Sequence, residues 1–282
     1  MSWQLTHDVE EFRRAAAPHL EADPAGNTVP LTVAETVRRH GPRALGTEDA
    51  WFGFWRRTAG GPVEAVVVQT PPRAPLLGPM PDEAARQLAE ALRGTPIEGV
   101  KGGEAPARAF AEAWTAPGES WAVTRRSRLF RLGELAPPRP APPGTARRAT
   151  ADDIPLAATW MRAFAADIGV APATDHTANA ERRVADGGLY VWEADGRPVS
   201  MAAHSPLVAG QSRVAPVYTP PELRGRGYAG SVTAAVSRAA LDAGARQVVL
   251  FADAANPTST ALYQRLGYRP VADHVDIVFA FA

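Results

Sequence analysis

The sequence predicts an α/β protein of the α+β, mixed-sheet kind, in which a mostly antiparallel twisted sheet flanked by helices is laid down twice in tandem. Three observations predict it. Runs with the alternation of strands interleave with runs of helical period through all 282 residues. One order of elements, strand, two helices, three strands, helix, strand, helix, strand, is legible before Ala136 and again after Gly144. Between the copies lies Ala136-Pro137-Pro138-Arg139-Pro140-Ala141-Pro142-Pro143-Gly144, whose proline density predicts an extended spacer outside any packed element. The expected parts are residues 1–135, the spacer 136–144, and residues 145–282.

Composition sets the broad class. Apolar residues make up 45% and charged residues 21%, which predicts a packed globular chain. Thirty basic and thirty acidic side chains cancel, which argues against nucleic acid as the main partner. The absence of cysteine rules out disulfides, zinc–thiolate sites and a cysteine nucleophile. Met1 to Glu11 lacks the apolar core of a signal peptide, and no apolar run is long enough to span a membrane. A cytoplasmic protein is expected. Lys101 is the only lysine, so arginine clusters carry less functional weight here than usual.

The first copy reads in order. Trp3 to Leu5 is a short strand, followed by helices over Val9 to Leu20 and Thr32 to His40. Trp51 to Trp55 and Val63 to Val68 are strands joined across Gly60-Gly61, a hairpin signal. Leu76 to Gly78 is a third strand. Pro81 to Leu92 is amphipathic, Ile97 to Val100 is a strand, Glu104 to Trp114 a helix and Trp121 to Leu132 a long closing strand.

The second copy repeats the order. Thr145 to Thr150 is a strand, and a helix begins at Asp152 with Leu156, Trp160, Phe164 and Ile168 in one apolar stripe. Trp160 is expected in the core. A helix over Thr177 to Asp186 ends at Gly187-Gly188, a C-terminal cap. Leu189 to Ala194 and Pro198 to Ser205 form a hairpin across Asp195-Gly196. Ser212 to Thr219 is the next strand, and Pro216 within it predicts an edge or a bulge. Gln247 to Ala252 is a strand. Asn256 is the expected N-cap, and Pro257 the first residue, of a helix carrying Tyr263. Arg269 to Phe281 is expected to finish the second sheet.

The chemistry concentrates after Thr219, in Pro220-Pro221-Glu222-Leu223-Arg224-Gly225-Arg226-Gly227-Tyr228-Ala229-Gly230. A glycine-rich turn opens a helix whose buried face is Tyr228, Val232 and Val236. Free N–H groups and the positive end of the macrodipole make such a helix start a site for phosphate. Gly225 and Gly227 permit backbone that a side chain would block, and Arg224 and Arg226 add charge. The spacing Arg-x-x-Gly-x-Ala, together with the downstream Asn256, Tyr263 and Leu266-Gly267-Tyr268, resembles the two signatures of the GNAT superfamily of acetyl-CoA-dependent N-acetyltransferases.

The resemblance implies tandem GNAT-like domains, the first without a coenzyme loop. There Gly78-Pro79-Met80-Pro81-Asp82-Glu83 replaces the arginines with prolines and carboxylates. It implies that backbone groups of Val217, Tyr218 and Thr219 hold the pantetheine arm and polarise the acetyl carbonyl, on a strand that splays from its neighbour. Residues Arg224, Gly225, Arg226, Gly227, Tyr228, Ala229 and Gly230 would take the pyrophosphate, Asn256 would bond the pantetheine arm, and Tyr263 would protonate the departing thiolate. Asn256 and Tyr263 are seven residues apart, two helical turns along one face. The base is open: Glu222, His204 and His274 are candidates, and a water chain serves as well. The implied cosubstrate is acetyl-CoA without a metal, the acceptor a small-molecule or peptide amine, the assembly a monomer or homodimer. A different acyl donor (longer acyl-CoA, acyl carrier protein, aminoacyl-tRNA) and a non-catalytic acyl-CoA-binding module are the competing readings.

Overall fold

The computed structural model describes residues 2–169 and 175–280; Phe281, expected at the end of the last strand, lies outside them. The order of elements is the doubled one. The first run is β1 (Ser2–Thr6), α1 (Val9–Ala22), α2 (Thr28–His40), β2 (Trp51–Arg56), β3 (Val63–Gln69), β4 (Leu76–Leu77), α3 (Asp82–Ala91), β5 (Gly99–Gly103), α4 (Glu104–Trp114) and β6 (Ser120–Leu132). The second is β7 (Thr145–Arg148), α5 (Ile154–Asp167), α6 (His176–Ala185), β8 (Leu189–Ala194), β9 (Arg197–His204), β10 (Gln211–Tyr218), α7 (Tyr228–Asp242), β11 (Gln247–Asp253), α8 (Pro257–Arg265) and β12 (Tyr268–Ala280). No helix among the described residues is long and apolar enough to cross a membrane.

The chain divides into two compact units, but not at the proline-rich stretch. One unit holds the residues up to Arg128 together with those from Ala272 onward; the other is Leu129–Val271. The expected boundary at 136–144 falls inside the second of these units. The two long strands, β6 and β12, each give one part to each unit. Alternation explains why β12 ends where it does. Val275, Ile277 and Phe279 point one way into the first unit's core, with Phe110 and Trp114 stacked on Phe279 at centroid distances of 6.3 and 5.9 Å. On β6, Leu129 and Phe130 are fully buried, and Phe130 joins the second unit's core.

In the first unit, β1, β2, β3 and β4 pair antiparallel in sequence, as in Phe54 with Val66. β4 pairs parallel with β5, and β12 closes antiparallel on β5 with Ile277 opposite Val100. The start of α3 carries its own carboxylates. Glu83 bonds Arg57 at 2.7 Å, and the N–H of Gly78 is spent on the Val66 carbonyl at 2.9 Å.

In the second unit, β7, β8, β9 and β10 run antiparallel, and β10 pairs parallel with β11. Asp195 and Gly196, at φ 51° and 71°, make the tight turn between β8 and β9. Alternation along β9 splits the core. Ala202 packs with Val232 and Val236 of α7, whereas Met201 and Ala203 pack with Ala157 and Trp160 of α5 and Ala180 of α6. Trp160 is 8% exposed and lies in that core as expected.

The proline-rich stretch belongs to no helix or strand and is mostly exposed, but it is tied down at both ends. The Trp192 indole N–H donates to the Pro143 carbonyl at 2.9 Å, and the Ala136 N–H to the Leu266 carbonyl at 3.0 Å. A side chain on Gly144 would strike the Glu193 carbonyl, which holds that end of the stretch against β8. A fragment covering 145–282 loses both this stretch and Phe130, and losing a buried phenylalanine side chain alone typically costs about 3–5 kcal/mol. We expect 129–271 to melt cooperatively by circular dichroism and 145–282 not to; equal melts would return the boundary to the prolines.

Candidate active site

The loop after β10 folds as its glycines demand. A single turn of 3-10 helix covers Pro221–Leu223, and the N–H groups of Leu223 and Arg224 are consumed by the carbonyls of Pro220 and Pro221. Gly225 and Gly227 lie at φ +78° and +84°, the left-handed region, and Gly227 caps α7. The first bond of the helix runs from the Ser231 N–H to the Gly227 carbonyl at 3.2 Å. The N–H groups of Tyr228, Ala229 and Gly230 stand ahead of it, at the positive end of a 15-residue helix.

The side chains here divide. Tyr228 turns its ring into the core, leaving its backbone for the loop. Gly230 is held small by its neighbours, since a Cβ would meet Leu262 at 3.0 Å and Pro138 at 3.3 Å. Pro142 lies 3.6 Å from the Cβ position of Gly227, so the proline-rich stretch runs along the first turn of α7. Arg226 is exposed and reaches the Glu222 carbonyl at 3.3 Å. Arg224 is engaged rather than waiting. Its Nε donates to the Thr219 carbonyl at 2.9 Å, and its other end pairs with Asp167 at 2.6 Å. Both partners of that pair are about half exposed, 49% and 47%, so it is a weak bond that an arriving phosphate can replace.

Upstream, β10 opens on one side. Its parallel pairing with β11 runs from Gln211–Gln247 to Val214–Leu250 and ends there. Its antiparallel pairing with β9 shifts register between Val214 and Val217. Pro216 sits in that shift and has no N–H to donate, as the sequence predicted. Val217 is half-buried against the α7 core. Ser200 fixes the next residues, with Oγ 3.0 Å from the Tyr218 carbonyl and 2.8 Å from Thr219 Oγ1. Trp160 packs on Tyr218 at 6.2 Å. Ser200 and Asp167 carried no sequence signal; their partners lie 18 and 57 residues away.

Asn256 and Tyr263 frame α8 differently. Asn256 is exposed, and its Oδ1 caps the helix by accepting the Ser259 N–H at 3.1 Å. Only its amide donors are left for a ligand. Tyr263 is 8% exposed, with its ring edge-on to Tyr268 at 6.1 Å. Burial pushes its phenol up to about 12, so it keeps its proton throughout the neutral range. Tyr268 spends its hydroxyl on Ser237 at 2.7 Å; Tyr263 makes no such bond among the described residues.

The candidate bases are far apart along the chain path. His204 is opposite Val214, midway along β10, and its Nδ1 donates to the Ser205 carbonyl at 2.8 Å. That leaves Nε2 as the basic nitrogen. Burial lowers its pKa, with the charges of Arg148 and Arg183 acting the same way, so it is a neutral imidazole at pH 7. Glu222 is exposed beyond the end of β10, beside Arg226. His274 belongs to the first unit, where burial lowers its pKa.

Comparison with known proteins bears on this geometry. Residues 156–268 match the model of the acetyltransferase (GNAT) family. The whole chain shares its fold with solved structures of low identity. An acetyltransferase of the GNAT family from Colwellia psychrerythraea is 14% identical, with 100% of each chain covered and a TM-score of 0.59. A GCN5-related N-acetyltransferase from Sphaerobacter thermophilus is 17% identical over 99% of this chain and 95% of its own, at 0.59. A Drosophila protein is 16% identical over 99% and 98%, at 0.66. No curated protein matches the sequence.

Proposed function

With residues 156–268 a GNAT acetyltransferase domain, we propose that the protein moves an acetyl group from acetyl-CoA to the amine of a small-molecule or peptide acceptor, by direct attack on the thioester. The observation that carries this reading is the course of β10. It loses its β11 partner after Val214 and then leads, through two left-handed glycines, into the bare first turn of α7. An extended thioester arm fits along the open strand edge, and its pyrophosphate fits the helix start.

In this reading the backbone N–H groups of Gly225 to Gly230 bind the pyrophosphate, with Arg226 beside them. Arg224 exchanges Asp167 for phosphate. Backbone groups of Val217, Tyr218 and Thr219 orient the thioester and stabilise the developing oxyanion, pre-set by Ser200 on one side and Arg224 on the other. Tyr263 donates the proton that the leaving sulfur takes; a thiol of pKa about 8.5 leaves readily, so the donor adds a modest factor. The exposed amide of Asn256 donates to the pantetheine arm. His204 Nε2 and Glu222 remain the side chains offered as base or substrate contact, with water as the other route. The unit without the glycine loop binds no coenzyme.

A panel of amines with acetyl-CoA, read as free thiol, tests this. We expect release that depends on amine and falls when acetyl-CoA is replaced by longer acyl-CoAs. Tight acetyl-CoA binding with no release for any amine would favour a binding module; release only from longer acyl chains would change the donor.

A further inference from the structure

Arg224 sits among groups that suit any cation. Its Nε donates to the Thr219 carbonyl at 2.9 Å, a terminal nitrogen pairs with Asp167 at 2.6 Å, and the guanidinium lies 5.8 Å from the centre of the Tyr218 ring. Trp160 of α5 packs on that ring at 6.2 Å. Asp167 is the last residue of α5, a helix of 14 residues. The C-terminal end of a helix carries the negative pole of its dipole and favours positive charge. The last turn of α5 has no basic residue of its own. Arg224, 57 residues away in the chain, supplies the charge.

Arg224 is also the one side-chain partner of Asp167 among the described residues. Asp153, at the other end of α5, is held quite differently. Two nitrogens of Arg147 reach it at 2.7 and 3.0 Å, the Thr150 N–H reaches it at 2.7 Å, and its side chain is 8% exposed. One carboxylate is locked in place; the other rests half-exposed on a single ion pair. The acyl-transfer reading hands the terminal nitrogens of Arg224 to the coenzyme's phosphate, while its Nε can keep Thr219. Asp167 is then an unpaired carboxylate at a helix C-terminus, two features that call for the same charge. It stands close to the chemistry. Only the width of a guanidinium separates it from the bond to Thr219, so it lies within about 8 Å of that carbonyl. Val217 is two residues earlier, about 7 Å along a strand.

We infer that Asp167, released when the coenzyme takes Arg224, binds a second positive charge on the acceptor, so that the acceptor is a di- or polyamine. The inference rests on the acyl-transfer reading for the exchange at Arg224 and for the reacting amine, and on Asp167 for the second charge. An alkylammonium with a pKa near that of lysine, about 10.4, is protonated at neutral pH. Its charge meets Asp167 while another amine, several bonds away, reaches the thioester beside Val217. Asp167 thereby links the two substrates. It opposes the coenzyme while it holds Arg224, and it favours the acceptor once Arg224 has left. Pairs this exposed are weak, so each effect should be about 2–5-fold.

The test uses the full chain and has two arms. In the first, calorimetry gives the Kd for acetyl-CoA. Asp167→Asn should tighten it about 2–5-fold at low salt and less at about 0.5 M NaCl. In an Arg224→Gln background the same substitution should not tighten it. In the second arm, putrescine is compared with butylamine, by thiol release and by calorimetry on protein saturated with coenzyme A. Putrescine should be preferred about 2–5-fold in kcat/KM per amine group, through a lower KM, and should bind the coenzyme-loaded protein more tightly than the free protein. Asp167→Asn should lose both effects; Asp167→Glu, which keeps the charge, should retain part of each. An acetyl-CoA Kd that Asp167→Asn leaves unchanged, weakens, or tightens equally without Arg224 overturns the inference, as does a putrescine preference that survives in Asp167→Asn. Putrescine that binds better to the coenzyme-loaded protein but is never acetylated supports the cation site and fails the acyl-transfer reading. Amines acetylated without regard to a second charge, in wild type and Asp167→Asn alike, leave that reading standing and sink this one.

Discussion

Gly227→Asp should abolish acetyl-CoA binding while the protein stays folded. Residue 227 caps α7 at φ +84°, where any side chain is strained, but aspartate is among the residues that tolerate the left-handed region best. The backbone cost is about 1–2 kcal/mol, small beside the roughly 5–15 kcal/mol that stabilise a domain. Space is not limiting, since the new Cβ meets Pro142 at 3.6 Å, an ordinary contact. The charge decides the outcome. A carboxylate at the cap stands beside the N–H groups of Tyr228, Ala229 and Gly230, where the pyrophosphate is to lie. Like charges placed together in an interface cost several kcal/mol, and about 2.7 kcal/mol already corresponds to a 100-fold loss in Kd. Calorimetry with acetyl-CoA should therefore show a loss of at least ~100-fold, beside a near-native melt by circular dichroism. Wild-type affinity in a folded variant would reduce the loop to a turn.

Tyr263→Phe should lower kcat by about 10²-fold, the low end of general-acid assistance, with the Kd for acetyl-CoA within about twofold. The hydroxyl is read to act on a sulfur whose charge develops only in the transition state, so its loss belongs in kcat. Phenylalanine keeps the edge-on contact with Tyr268, and the lost hydroxyl has no bonded partner among the described residues, so packing should survive. The structure revises the pH dependence that a free tyrosine implies. A phenol of ordinary pKa loses its proton near pH 10; burial holds Tyr263 to about 12. The deficit should then be constant from pH 7 to 10, with no Tyr263 limb in that range. The same shift makes the fold sensitive to alkali. The folded state retains this proton between about 10 and 12 while the unfolded chain releases it. The stability linked to it is thus fully present below pH 10 and falls by up to about 1.4 kcal/mol per pH unit above it. Full turnover in the mutant would leave Tyr263 as packing and favour a binding module.

What the sequence determined by itself was local. The doubled order of elements, the Asp195-Gly196 turn, the Asn256 cap, the left-handed glycines before α7 and the break at Pro216 each depend on residues within a few positions, where steric limits on φ and missing N–H groups act directly. Alternation told that β6 and β12 were strands and which side chains would be buried. It is the same whichever sheet a strand joins, so only tertiary pairing decided that β12 ends against β5 and that Phe130 completes the other core. The proline-rich stretch read as a spacer because proline cannot continue a helix or ladder; that it lies along the first turn of α7 depends on Trp192 and Leu266, far along the chain. At the site, residue types were legible but their states were not. Arg224 is occupied by Asp167, and Asn256 spends its oxygen on its own helix. Burial raises the Tyr263 phenol, and Ser200, on another strand, fixes Tyr218 and Thr219. A charge or a proton is set by what surrounds it, and in this protein those surroundings are assembled from segments tens of residues apart.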